Sequence, residues 1–261
     1  LQVRSAWQVT RNVYYALFMR EVLTRLFANR MAWFWLFVEP ILFVVVMVGL
    51  RSFIRVMDQI GGVDMIPWMI IGLAAFFMFR DGMNNGMNAI GAGKALFAYR
   101  QLKPIDTVIV RIFTIGLLHL LVLLIFVIGM LLLGFTMTPH NLLLSMGAWL
   151  TLWFFGLGVG LTLAVVTQFA TEFGKIINVL SLPLMILSGA FLPFHHMPHA
   201  IQEILLWNPV LHAIELIRIG FFEGYWTLSG INYQYLFIWT VGSVFLGISL
   251  NLRFEARLKV K

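Results

Sequence analysis

The sequence predicts an all-α integral membrane protein of six transmembrane helices, with an N-terminal amphipathic interfacial helix and short re-entrant external helices between spans five and six. Three observations predict it. Hydrophobic residues make up 61% of the 261-residue chain and charged residues only 11%, where a soluble domain carries about a quarter charged. Apolar runs close to the roughly 20 residues needed to cross a bilayer recur along the chain. Lys and Arg gather in alternate connecting segments, as a membrane topology places them.

The elements follow in order. Residues 1–30 are read as a cytoplasmic amphipathic helix, in which Trp7, Val9, Val13, Tyr14, Leu17, Phe18, Val22 and Leu26 recur at roughly helical spacing among Arg4, Arg11, Arg20, Arg25 and Arg30. That mixture suits a helix lying in the membrane interface. A secretory signal is not expected, because about 30 mixed residues precede the first apolar run. Residues 31–261 are read as the six-span domain. Its spans are expected at Met31–Leu50, with Glu39-Pro40 inside it, Ile66–Met87, Thr107–Leu133, Leu142–Gln168, Ile176–Leu192, broken by Pro183, and Tyr235–Leu252.

With the N-terminus inside, 14 of the 18 basic residues fall on the inner side, against Arg51, Arg55 and Arg218 outside and Arg80 within a span. Both termini are therefore expected in the cytoplasm. The net charge of +7 is explained by topology and is not a nucleic-acid signal. Cysteine is absent, which removes disulfide, thiol and Cys-metal chemistry. The loops are too short to hold a soluble catalytic domain.

Two connecting segments stand out. The cytoplasmic loop at about 88–106 holds Ala95–Leu102, a candidate short helix ended by Lys103-Pro104, since a residue before proline disfavours helix. Lys94, Arg100 and Lys103 mark its charged side. Gly91-Ala92-Gly93-Lys94-Ala95 imitates a nucleotide loop but fails, because Asn88 stands where the first Gly belongs and Ala95 where Ser or Thr belongs. The external segment at about 193–224 is too broken by Pro and Gly for a span and too apolar for a water-facing loop. Pro198 starts one short helix there, with Ile201, Ile204 and Leu205 on a face. Asn208 and Pro209 start a second, as cap and first-turn residue. Its polar stripe is His212, Glu215 and Arg218. Such helices enter a bilayer only when buried in protein or lining a cavity.

The candidate chemistry is sparse. His195, His196 and His199, with His212 further on, show no obvious carboxylate partner and no zinc-site spacing, so no metal site is expected. Glu39 in mid-span should face the bundle. A structural role beside Pro40 is favoured over a proton relay, for which Asp81 and His119 are the only further candidates. Arg80 and Asp81 are adjacent and so are not expected to face each other. Gly82/Gly86 and Gly156/Gly160 allow close helix approach, within the chain or at a dimer face. Phe191, Phe194, Trp207, Phe221, Phe222, Tyr225 and Trp226 form either an interfacial aromatic belt or a stacking surface for sugar rings, where Arg218 would meet an anionic group.

The amphipathic N-terminus, Glu39-Pro40, the stretch Ala98-Tyr99-Arg100-Gln101-Leu102-Lys103-Pro104, and Trp207-Asn208-Pro209-Val210-Leu211-His212-Ala213-Ile214-Glu215 running to Arg218 and Gly220-Phe221-Phe222 carry a resemblance. The chain resembles the membrane subunits of type-2 ABC exporters, closest to the inner-membrane permeases of capsular polysaccharide export. The resemblance covers nearly the whole chain. It implies an ATP-driven exporter of lipid-linked capsular polysaccharide in the bacterial inner membrane. This chain would pair with a second copy of itself and two cytoplasmic ATP-binding subunits. A periplasmic adaptor and an outer-membrane export protein would take the glycan onward. It implies no cofactor on this chain, with ATP and Mg on the partner subunit, and no catalytic residues. Lys94, Ala95, Leu96, Phe97, Tyr99, Arg100 and Lys103 would couple to the ATPase. Tyr14, Phe18, Arg20 and Arg25 would form part of a gate. Glu39, Phe191, Phe194, Trp207, His212, Glu215, Arg218, Phe221, Phe222 and Tyr225 would border the substrate path. Export of O-antigen, teichoic acid or a drug on the same architecture is the nearest alternative. An ion-coupled secondary transporter is the next. A membrane enzyme using the His group with Glu203 and Glu215 is a third.

Overall fold

A computed structural model describes residues 6–25, 34–35, 38–39, 41–46, 49, 59–99, 101–194 and 197–260. Expectations that fell on Arg4, Leu26, Arg30, Pro40, Arg51, Arg55, Arg100, His195, His196, Lys261 and much of the first predicted span lie outside these residues. Among the described residues the architecture is all-α apart from one small hairpin. Helix α1 is Ala6–Leu23. Strands β1 (Gln59–Ile60) and β2 (Val63–Asp64) pair antiparallel through Gly61 and Gly62, whose φ values of 60° and 85° give the mirror-image turn that favours glycine. Then come α2 (Met65–Gly93), a 3-10 turn (Lys94–Ala98), α3 (Pro104–Leu132), α4 (Leu142–Phe169), α5 (Glu172–Leu187), α6 (His199–Leu205), α7 (Pro209–Phe221), α8 (Tyr233–Arg253) and α9 (Glu255–Val260).

Four of the described helices, α2, α3, α4 and α8, are long and apolar enough to cross a membrane. Their cover differs. Most of α2 is buried, whereas α3 and α8 leave most of their apolar residues on the outside, as helices in lipid do. The predicted fifth span is corrected. Its helix begins at Glu172, four residues early, and stops at Leu187, giving 16 residues. It stops because Gly189, at φ 65°, turns the chain away, with the Phe194 ring packed on it. Among its residues only Met185 is buried.

Apolar side chains gain nothing by leaving lipid for one another, so helix contacts rest on fit and small residues. Gly86 of α2 faces Gly160 of α4. A Cβ on Gly86 would lie 3.1 Å from the Gly160 Cα and 2.6 Å from the Ile112 Cδ1 of α3. A Cβ on Gly247 of α8 would lie 2.8 Å from the Gly158 carbonyl of α4. The glycines thus build crossings inside the chain, and the dimer-face option for them falls away. Gly160→Val is expected to cost about 1–3 kcal/mol by overpacking. Gly242→Ala, with nothing within 4 Å, should be neutral. Thermal unfolding of the two purified variants side by side measures the difference.

Helix starts follow short polar caps. The side chains of Asn141, Asn208 and Asn232 accept from Leu144 N (3.0 Å), Val210 N (3.0 Å) and Gln234 N (2.7 Å), satisfying amides that have no intrahelical partner. The predicted helix 95–102 is corrected to the 3-10 turn, which ends at Tyr99 in extended conformation. Pro104 then opens α3.

Helix α1 departs from a single amphipathic stripe. Val13, Tyr14, Leu17 and Phe18 pack with Leu96, Leu102 and Val110, while Trp7, Tyr15, Met19 and Leu23 are exposed. The helix has two apolar sides because one meets the bundle.

Candidate functional site

Three polar assemblies are strung along the bundle. The first lies where α7 meets the start of α2 and the turn after α5. Arg218 is wholly buried. It donates to the carbonyls of Trp68 (3.3 Å), Gly189 (2.9 Å) and Ala190 (2.9 Å) and to Glu215 Oε1 (2.6 Å). Its guanidinium carbon stands 3.5 Å from the centroid of the Trp68 ring. Glu215 Oε2 accepts from Tyr225 (2.8 Å) and Thr227 (2.7 Å), and Tyr225 accepts from Trp68 Nε1 (2.9 Å). Burial first, and then the Glu215 carboxylate, holds the Tyr225 phenol well above its ordinary pKa, so it stays a donor. His212 completes the helix. Its Nε2 meets the Leu206 carbonyl at 2.7 Å and its Nδ1 accepts from Asn232 N at 3.0 Å, which assigns a neutral ring with the proton on Nε2.

These contacts correct the picture of an open sugar-stacking surface. The stripe His212, Glu215, Arg218 exists, yet it faces inward. The broken turn leaves carbonyls unpaired, and Arg brings five donors in a fixed fork to satisfy them. Arg218 is thus occupied and does not meet an outside anion. Phe191, Phe194, Phe221, Phe222 and Tyr225 are all under 10% exposed, in core packing, whereas Trp207 and Trp226 are 79% and 60% exposed. The short helix α6 turns its Leu205 inward and leaves Ile201 and Ile204 exposed. It meets α7 at 98°.

The second assembly lies in α2 and α3. Arg80 holds Glu39 through two bonds, at 2.7 and 3.0 Å, and its Nε donates to Asp81 at 2.9 Å. Asp81 meets His119 Nε2 at 3.1 Å. The expectation that Arg80 and Asp81 do not face each other is corrected, because the long Arg side chain bends back onto its neighbour while its fork reaches Glu39. Its guanidinium also lies over the Phe77 ring, at 4.5 Å. Glu39, Arg80, Asp81 and His119 thus form one chain of polar contacts. The Glu39 side chain remains 43% exposed. A charge exposed at that depth belongs on a bundle interior, a water-filled path or a protein partner, not on lipid.

The third assembly is at the basic end. Tyr14 donates to Asp106 at 2.9 Å. Its own pKa is pushed up to about 12 by burial and by the Asp106 carboxylate. Glu21 Oε1 accepts from Arg25 (2.9 Å) and Arg111 (3.1 Å), and Arg25 also reaches Asn85 (2.9 Å). Phe18 is half-buried and Arg20 exposed. Lys94, Ala95, Tyr99 and Lys103 are exposed, with Leu96 and Phe97 half-buried. Arg20, Glu21, Leu96 and Arg111 border one small cleft of about 40 Å³. His199 Nδ1 lies 3.3 Å from Glu203, so the His group does have one carboxylate partner, in the open. Among the described residues no three metal-ligating side chains converge.

Sequence reasoning missed Trp68, Thr227, Glu21, Arg111, Asn85 and Asp106. No local signal marks Trp68, which reads as one more apolar residue at the start of a span. Asp106 was visible as an acid in the first turn of a helix opened by Pro104, a position that favours it.

The sequence pattern of the ABC-2 type transporter family matches residues 12–222. The polysialic acid transport protein KpsM of Escherichia coli is 32% identical over 98% of this chain and 98% of its own length. The capsule polysaccharide export inner-membrane protein BexB of Haemophilus influenzae is 32% identical over 79% of this chain and 78% of its own. Its counterpart CtrC of Neisseria meningitidis serogroup B is 29% identical over 98% and 97%.

Proposed function

The chain belongs to the ABC-2 type transporter family, and from that premise we propose that it is the membrane subunit of an ATP-driven exporter of lipid-linked capsular polysaccharide. The observation that carries the reading is the end-to-end match to relatives named for polysialic acid transport and capsule polysaccharide export. Loops too short for a soluble ATPase domain support the transport role. Nucleotide and Mg would be held by a separate subunit.

In the proposed topology both termini are cytoplasmic and six spans cross the inner membrane. The first is the span expected at Met31–Leu50, and α5 belongs to the fifth. The pair α6 and α7 re-enters from outside as a bent unit without crossing. Two copies would pair, since one chain of this size is small for a polymer path. The partly exposed Glu39–Arg80–Asp81–His119 chain favours a polar path on that side of α2. The exposed turn Lys94–Ala98 and Tyr99 would dock on the ATP-binding subunit. The gate would involve α1, with Arg20 and Arg25. A periplasmic adaptor and an outer-membrane protein would receive the glycan.

Purification of the tagged chain in mild detergent, followed by mass spectrometry, tests this. An ATP-binding subunit is expected at about one-to-one ratio. A chain that arrives alone, and transports when reconstituted, would sink the reading in favour of an ion-coupled carrier. Glu39→Gln separates the same pair of readings. It abolishes transport in a proton-coupled carrier, whereas in the exporter ATP-driven transport is lowered and not abolished. Glycan accumulating inside cells that lack the chain identifies the cargo.

A further inference from the structure

The turn Lys94–Ala98 buries none of its residues fully, yet it is held from two sides. Leu96 packs on the cluster of Leu17 and Val110, which ties the turn to α1. Phe97 packs on a second cluster that contains Leu258 of α9, itself only 2% exposed. In α9, Glu255 and Lys259 pair one turn apart at 2.7 Å, so the polar side of this short helix is stapled while Leu258 points in. Just before it, the Phe254 ring meets Phe169, the last residue of α4, edge to face at 5.2 Å.

We propose that α9 is a brace for the turn, and that Leu258 is a positioning residue. Through it, movement of the turn would reach the ends of α4 and α8. A six-residue helix has little stability of its own, so its order depends on this docking. On that side the turn's Phe97 rests on the cluster of Ala89, Ile90, Val108 and Ile112 to which Leu258 also belongs. Removing Leu258 therefore loosens the turn without touching any surface the turn presents. The coupling part of this inference rests on the exporter reading, and the structural part does not.

The structural part is tested on the purified chain alone, by trypsin cleavage after Lys94. Leu258→Ala is expected to speed cleavage about fivefold by raising local opening. Leu258→Met should restore the original rate, and Leu252→Ala, an exposed leucine, should leave it unchanged. Unchanged cleavage in Leu258→Ala overturns the brace. The coupling part is tested in the assembled complex, by surface glycan and ATP hydrolysis normalised to complex recovered. Leu258→Ala and Phe97→Ala should each lower glycan exported per ATP about fivefold, a typical coupling energy. The double variant should be no worse than the poorer single, because the two act through one cluster. Losses that multiply, or an unchanged ratio, overturn the coupling role. Faster cleavage in a chain that recovers no ATP-binding subunit would leave the brace standing and remove the exporter reading.

Discussion

Arg218→Leu is expected to prevent the chain from accumulating in the membrane. The substitution strips donors from the Trp68, Gly189 and Ala190 carbonyls and leaves Glu215 buried without its cation. Breaking a buried pair on one side costs about 3–5 kcal/mol, a large part of a marginal stability. Arg218→Lys should fail nearly as badly, because an ammonium cannot span four acceptors in a plane. Glu215→Gln should be milder, since the amide oxygen still accepts and no bare charge remains. Gly72 tests the same assembly from the other side. A Cβ there would collide with the Arg218 guanidinium and the Ala190 carbonyl, so Gly72→Ala should behave like a weakened Arg218→Leu. Membrane-inserted protein at steady state, and melting of what can be purified, read all four. Normal levels of Arg218→Leu would mean that the assembly does not hold the α7 region in place.

Arg80→Leu carries the second large effect. It leaves Glu39 and Asp81 within the bundle without the cation they share. An unpaired charge at that depth costs about 2.5–3.5 kcal/mol on insertion scales, toward the lower end because Glu39 is 43% exposed. Export should fall further than protein level does, if that face borders the polymer path. Arg80→Lys should restore insertion but not the two-bonded grip on Glu39. Surface glycan per inserted molecule, compared across the two variants, makes the separation. Proportional loss of glycan and protein would reduce the assembly to a structural one.

Much of the candidate site was legible from residue type. An arginine or glutamate in an apolar chain is conspicuous, so Glu39, Arg80, Asp81, Glu215 and Arg218 drew notice before any fold was known. Their partners were not legible. Glu39 and Arg80 are 41 positions apart, and Arg218 and Trp68 are 150 apart. No local spacing links such pairs. Aromatic residues misled for a related reason. In lipid both a core Phe and an outward Phe sit among hydrocarbon, so composition does not tell Phe222, buried, from Trp226, exposed.

The sequence by itself determined the membrane class, the helical start signal at Asn208 and Pro209, the gathering of basic residues in alternate connecting segments, and the family. Each of these depends on composition or on residues within one helical turn. Only the tertiary structure decided that the α7 polar stripe turns inward, that Gly86 meets Gly160 within one chain, that four scattered ionisable residues join, and that Leu258 and Phe97 meet one cluster. Those outcomes depend on which helix faces which. In a bilayer, where an apolar side chain is solvated equally well by lipid or protein, hydrophobic patterning does not encode that choice. Small residues, buried charges and unpaired carbonyls do, and only once the helices have met.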